Sequence, residues 1–186
     1  MTPDMPYFKS MTYLSRDKTI AMYTASTFIK ETKDEGLLQQ CAAMMCQSEP
    51  WITFGRDMKA CAEALHGDYK EVYIVTRGND LLGFAVLQMA GAFKGYIQSI
   101  CIAPAARGKG LGSSLLEFCE QRIFEVSPNV FMCVSSFNAD AARLYDRAGY
   151  QKIGELPDYL ARGHSEILLR KTIGPLAGFV PLKKRP

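Results

Sequence analysis

The sequence predicts a mixed α/β fold, a mostly antiparallel sheet followed by a tail of strand, helix, strand, helix, strand. Three observations carry this. Apolar residues follow a period of two from Val72 to Ile102, broken by turns at Gly78-Asn-Asp80 and between Gly91 and Gly95. The period lengthens to that of a helix over 110–126. Short strand-like and helix-like runs then alternate up to Thr172. A doubly wound parallel sheet would alternate strand and helix throughout, and the meander does not.

In order along the chain, residues 1–16 show no clear pattern and read as an N-terminal arm. Residues 19–29 are rich in β-formers and read as a first strand. Thr32 followed by Glu35 reads as a capping box opening a helix, with Leu37, Leu38, Cys41, Met44 and Met45 on one face. Ser48-Glu-Pro-Trp51 breaks that helix. A second helix, near 56–66, has Met58, Cys61, Ala62 and Leu65 on one side and stops at Gly67. Strands follow at 72–77, 81–89 and 96–102. The helix over 110–126 turns Leu111, Leu115, Phe118, Cys119, Ile123 and Val126 inward. A strand at 130–134, a helix at 139–148 closed by Gly149, and strands at 150–153 and 166–172 complete the domain, read as 17–173. Residues 174–186 read as a basic, solvated tail.

At 186 residues the chain suits one domain and buries enough surface to need no disulfide scaffold. Its hydrophobic fraction of 48% and charged fraction of 22% exclude wholesale disorder. The net charge of +3, from 22 basic and 19 acidic side chains, lacks the excess that a nucleic-acid binder shows. No apolar run is long enough to cross a membrane. Six cysteines without a C-x-x-C pair, and only two histidines, argue against zinc or any other metal. Cysteines among apolar neighbours, and a start interrupted by Asp4, Lys9 and Arg16 rather than ordered as a signal peptide, point to a cytoplasmic protein.

The richest signal is Arg107-Gly-Lys-Gly-Leu-Gly112, between the strand at 96–102 and the helix at 110–126. Glycines let the backbone turn tightly and aim its amides at one spot. The helix start adds unpaired N–H groups and a positive dipole end, and Arg107 and Lys109 add charge, so a pyrophosphate suits the place. A tight strand-to-helix turn accounts for the glycines equally well. The phosphate-binding Walker loop fails here because Gly108-Lys109 is followed by Gly110 rather than Ser or Thr. The dinucleotide fingerprint fails because Ser113 stands where its third glycine belongs.

What remains, R-G-x-G-L-G ahead of a helix, resembles the acyl-CoA motif of the GNAT superfamily of N-acetyltransferases. Asn138-Ala-Asp-Ala-Ala-Arg-Leu-Tyr145-Asp-Arg-Ala-Gly149-Tyr150 is similar to the family's N-x-x-A-x-x-L-Y-x-x-x-G-F/Y segment. Ser48-Glu-Pro-Trp51 and Phe54 look like the second-helix entry of bacterial members, among them the ribosomal-protein-alanine type. The resemblance implies a strongly twisted sheet with helices on both faces. It also implies acetyl transfer from acetyl-CoA to a primary amine, on a small molecule or a protein, by direct attack in a ternary complex. A homodimer stays open.

Carried over residue by residue, the resemblance assigns pyrophosphate contacts to Arg107, Gly108, Lys109, Gly110, Leu111, Gly112 and Ser113. It assigns the pantetheine arm to the backbone of Ile100 and Ile102 with Cys101 between them, and to Asn138. It aims the Tyr145 hydroxyl at the sulfur as general acid; a phenol pKa of about 10 keeps it protonated at neutral pH. Asn138 at a helix start also reads as a plain N-cap. The family's glutamate positions hold Cys133 and Tyr96 or Gln98, none of them acidic. Glu166 is then a candidate base, beside His164, Asp158 and Tyr159. The missing acid at Cys133 also admits a rival reading, a non-catalytic acyl-CoA sensor.

Overall fold

Alternation along one strand sorts the core into two. In Lys70–Arg77 (β3), Val72 and Ile74 point to one face of the sheet and Tyr73 and Val75 to the other. The next strand, Asp80–Gln88 (β4), does the same with Phe84 and Val86 against Ala85 and Leu87. Both faces are apolar, so both need a helical layer. Glu35–Cys46 (α1) and Met58–Leu65 (α2) cover the first with Leu38, Cys41, Met45, Cys61 and Leu65. Leu111–Phe124 (α3) covers the second with Leu115, Leu116, Cys119 and Ile123, and Ala139–Arg147 (α4) adds Tyr145.

The computed structural model describes residues 20–22 and 27–181. The remaining strands are Ile20–Met22 (β1), Thr27–Glu31 (β2), Tyr96–Ile102 (β5), Asn129–Ser135 (β6), Gln151–Pro157 (β7) and Ser165–Thr172 (β8). They form one eight-stranded sheet in the order β1-β2-β3-β4-β5-β6-β8-β7. Every pairing is antiparallel except β5 with β6. The mixed α/β fold, mostly antiparallel with helices on both faces, is the one expected.

Several boundaries differ. The strand expected over 19–29 is two, β1 pairing back on β2 with Ile20 opposite Ile29. The first helix is capped by Asp34, whose Oδ1 accepts from the Leu37 amide at 2.8 Å, and not by Thr32. Thr32 cannot start a helix because its amide still donates to Val72 O at 2.9 Å, as a continuation of the sheet. Glu35 accordingly does not close a capping box; it lies 3.1 Å from His66 Nε2. Asp57, accepting from Ala60 N at 2.8 Å, trims the second helix to 58–65. β7 runs on to Pro157, past the expected end at 153. The arm at 1–16 and tail residues 182–186 lie outside the described residues. No helix among the described residues is long and apolar enough to cross a membrane.

Candidate active site

The site begins with a break in the sheet. β5 and β6 pair only at Tyr96 with Phe131 and Ile97 with Met132, and beyond these pairs the strands part. Gln98 is the extra residue of a bulge opposite Val86 and Leu87, which bends β5 where the gap opens. Ala103 donates its amide to Leu82 O at 2.8 Å. Strand alternation therefore turns the backbone groups of Ile100 and Ile102 away from β4 and into the gap. The Ile102 carbonyl is already engaged by Arg107 Nε at 2.9 Å. Cys101 faces elsewhere: its side chain belongs to the α1–α2 core, and its Sγ lies 3.5 Å from Ser48 Oγ.

A cavity of about 320 Å³ fills the gap and reaches both faces of the sheet. On the α3–α4 side it is lined by Asn138 and Tyr145 of α4. On the α1–α2 side it meets Trp51 and Phe54 from the α1–α2 loop, and Tyr159 and Leu160 from the β7–β8 loop. Glu166 lies on this side too, since it pairs directly across from Ser135 and shares a face with Cys133.

Asn138 caps α4, its Oδ1 accepting from Ala141 N at 3.2 Å, while still lining the cavity. Tyr145, seven residues on, falls on the same edge of the helix. It is 6% exposed, with its ring 5.9 Å from that of Tyr150. Burial raises its phenol well above the ordinary value, so it is protonated throughout the physiological range.

Glu166 is 4% exposed. Burial pushes its carboxyl up, with the Ser135 hydroxyl acting in the opposite direction. Neither Glu166 Oε1 nor Ser135 Oγ has a hydrogen-bond partner among the described residues. A buried, unpartnered carboxylate oxygen is costly, and facing a cavity it is available to a ligand. Burial also raises the half-buried Cys133 thiol, with the nearby Tyr96 lowering it and the Glu166 charge raising it, so it is no thiolate nucleophile at neutral pH. Of the other candidate bases, Asp158 Oδ1 accepts from Gly163 N at 2.6 Å and shapes the β7–β8 loop. The His164 ring packs on Phe137 at 4.9 Å, and Tyr159 stands at the cavity mouth.

The glycine turn lies at the start of α3, next to but outside this cavity. Gly108 and Gly110 have φ of +72° and +80°, and a Cβ on either would meet nothing within 4 Å. Open space over left-handed glycines leaves the backbone accessible from outside. Gly110 is the N-cap of α3 and offers no side chain to the first amides of the helix, those of Leu111, Gly112 and Ser113. Lys109 Nζ donates back to Ala105 O at 3.1 Å. The turn fits a pyrophosphate, and the gap with its outward-facing strand backbone fits an extended amide-bearing arm. No group of three or more His, Cys, Asp or Glu among the described residues could hold a metal.

The family model for acetyltransferases of the GNAT family matches residues 38–150, which span α1 to the turn after α4. The chain belongs to the GNAT acetyltransferase family. It is an enzyme, an N-acetyltransferase whose acetyl donor is acetyl-CoA. Solved structures of GNAT proteins share its fold. A GNAT-family protein of Desulfovibrio desulfuricans is 19% identical, with a TM-score of 0.65 over 80% of this chain and 100% of its own. The ribosomal-protein-S18-alanine N-acetyltransferase of Escherichia coli is 18% identical, with a TM-score of 0.66 over 83% and 98%. The spermidine N-acetyltransferase of Vibrio cholerae, in complex with CoA and spermine, is 17% identical, with a TM-score of 0.60 over 80% and 96%.

Three contributors escaped the sequence. Ser135 carried no motif; only the β6–β8 register sets it against Glu166. Glu49 lines the cavity from the segment that reads as a helix breaker, and Arg56 from the expected start of the second helix.

Proposed function

We propose that the protein acetylates a primary amine by direct attack on acetyl-CoA, with Glu166 as general base and Tyr145 as general acid. The observation that carries this is Glu166: a buried carboxyl with a raised pKa and a free Oε1, in the same cavity as Tyr145 but on the opposite face of the sheet.

In this reading the amides of Gly110 to Ser113 and the α3 dipole hold the pyrophosphate, and the backbone of Ile100 and Ile102 aligns the pantetheine arm. When bound, acetyl-CoA supplies an activated thioester. An amine arriving as ammonium first gives its extra proton to water. As the neutral amine attacks, its nitrogen sheds a second proton, which Glu166 takes up, and burial makes that carboxyl a better proton acceptor than an exposed one. Tyr145 approaches from the α4 side and donates to the sulfur as the thiolate departs. Placing the two groups on opposite faces keeps proton uptake at the nitrogen and proton delivery at the sulfur apart. In this reading the neighbouring strand supplies the carboxylate absent at Cys133, which favours turnover over the sensor reading.

The test is release of free CoA thiol from acetyl-CoA across a panel of small amines and peptide N-termini. Turnover with at least one amine, saturating in both substrates by a sequential pattern, is expected. A ping-pong pattern, or binding without turnover across the panel, would refute direct attack.

A further inference from the structure

The rim of the cavity on the α1–α2 side carries a chemical signature. Trp51, Phe54 and Tyr159 present rings there, and Leu160 an aliphatic chain. Tyr159 is 63% exposed and Leu160 44%. Single exposed apolar residues are ordinary, but these converge on one opening. The rim is preformed: Phe54 packs edge-on against Phe137 at 5.9 Å, and Phe137 against His164 at 4.9 Å. Those contacts stitch the α1–α2, β6–α4 and β7–β8 loops together.

Charge on the same rim narrows the guest further. Glu166 is buried, and Glu49 Oε2 already accepts from the Thr53 amide at 3.3 Å. Arg56 is exposed and makes no ion pair among the described residues. A polycation needs a carboxylate for each further ammonium group; on this rim the one exposed carboxylate, Glu49, is offset by the guanidinium of Arg56. A single ammonium on an apolar body gains from the ring faces as it passes and buries that body against them.

We infer that the acceptor is a small monoamine on an apolar body, an arylalkylamine in chemical class, and that polyamines are poor acceptors. The inference rests on the amine-acetylation reading above. In the transfer, a bond forms between the amine nitrogen and the acetyl carbon and the carbon–sulfur bond breaks. The N–H proton of the neutral amine passes to Glu166, the thiolate receives its proton from Tyr145, and exchange with water returns Glu166 and Tyr145 to their starting states.

The test is thiol release from acetyl-CoA with 2-phenylethylamine, spermidine and kanamycin at fixed pH and ionic strength. The expected kcat/KM for 2-phenylethylamine exceeds that for spermidine by about tenfold or more. Tyr159→Ala, at an exposed position, raises the KM for 2-phenylethylamine with a smaller change in kcat. Arg56→Glu moves the ratio of the two kcat/KM values towards spermidine by about tenfold. Spermidine or kanamycin matching 2-phenylethylamine in the parent protein, or both variants leaving these parameters unmoved, overturns this inference and leaves amine acetylation standing. No thiol release with any amine overturns both.

Discussion

Glu166→Gln separates chemistry from folding, because it drives the two in opposite directions. Burial raises the carboxyl's pKa in the folded chain above the unfolded value of about 4.3. The folded state therefore holds that proton more tightly than the unfolded state. Below the unfolded value the group costs nothing; as pH rises through the window up to the raised value, stability falls, and above it the full cost is present. Glutamine cannot ionise, so the variant escapes that cost at neutral pH. Each kcal/mol relieved raises the Tm by about 2–4 °C in a chain of this size. Activity moves the other way. A positioned general base contributes about 10²–10⁴-fold, or roughly 3–5 kcal/mol of transition-state stabilisation, and kcat should fall by that much. The acid limb of the parent's pH–kcat/KM profile, set by Glu166, should vanish with it. Thermal melts and initial rates of thiol release across the pH range read both effects on the same preparation. A variant with kcat within about threefold of the parent would refute the base role. A lower Tm at neutral pH would refute the account of burial.

Tyr145→Phe keeps the ring and removes one hydroxyl, so kcat should drop by about 10²–10⁴-fold while acetyl-CoA affinity by calorimetry changes little; a loss confined to KM would make Tyr145 a binding residue instead. Gly110→Val meets open space in the free protein but sits at φ +80° and projects over the glycine turn. It should therefore cost about 1–2 kcal/mol of stability and weaken CoA binding by more than that, and intact binding would put the phosphates elsewhere. Acetyl-CoA at a hundredfold excess over its Kd should add about 2.7 kcal/mol, a Tm shift of about 5–10 °C. An unchanged midpoint together with no calorimetric binding would remove the donor assignment.

What the sequence disclosed is what local patterns encode. Alternation from Val72 to Ile102 predicted the antiparallel strands, and the left-handed turn at Gly108 and Gly110 lies within the Arg107–Gly112 run. Asn138 and Tyr145 came from one segment, whose helical spacing sets them on one edge. The misses are non-local. Thr32 looked like a cap until its amide was found in the sheet with Val72, forty residues away. Glu166 was one of several acidic or polar residues near the last strand. Only the pairing of β8 with β6 sets it against Ser135, and only the parting of β5 from β6 gives it a cavity to face. Registers of that kind leave no spacing to count.

An open sheet of eight strands has two edges, here β1 and β7. The parting of β5 and β6 creates two more in the interior. Polar backbone at such an inner border must be wetted or matched, and the Arg107 side chain already matches the Ile102 carbonyl. Two flanks of the molecule, strands β1 to β5 and strands β6 to β8, therefore meet along a seam held by two residue pairs and bridged by α3. An amide-bearing chain laid into that seam acts as a rivet: it joins flanks that the protein's own hydrogen bonds leave apart. Slower amide exchange should then spread into β6 and β8, well beyond the atoms the ligand touches.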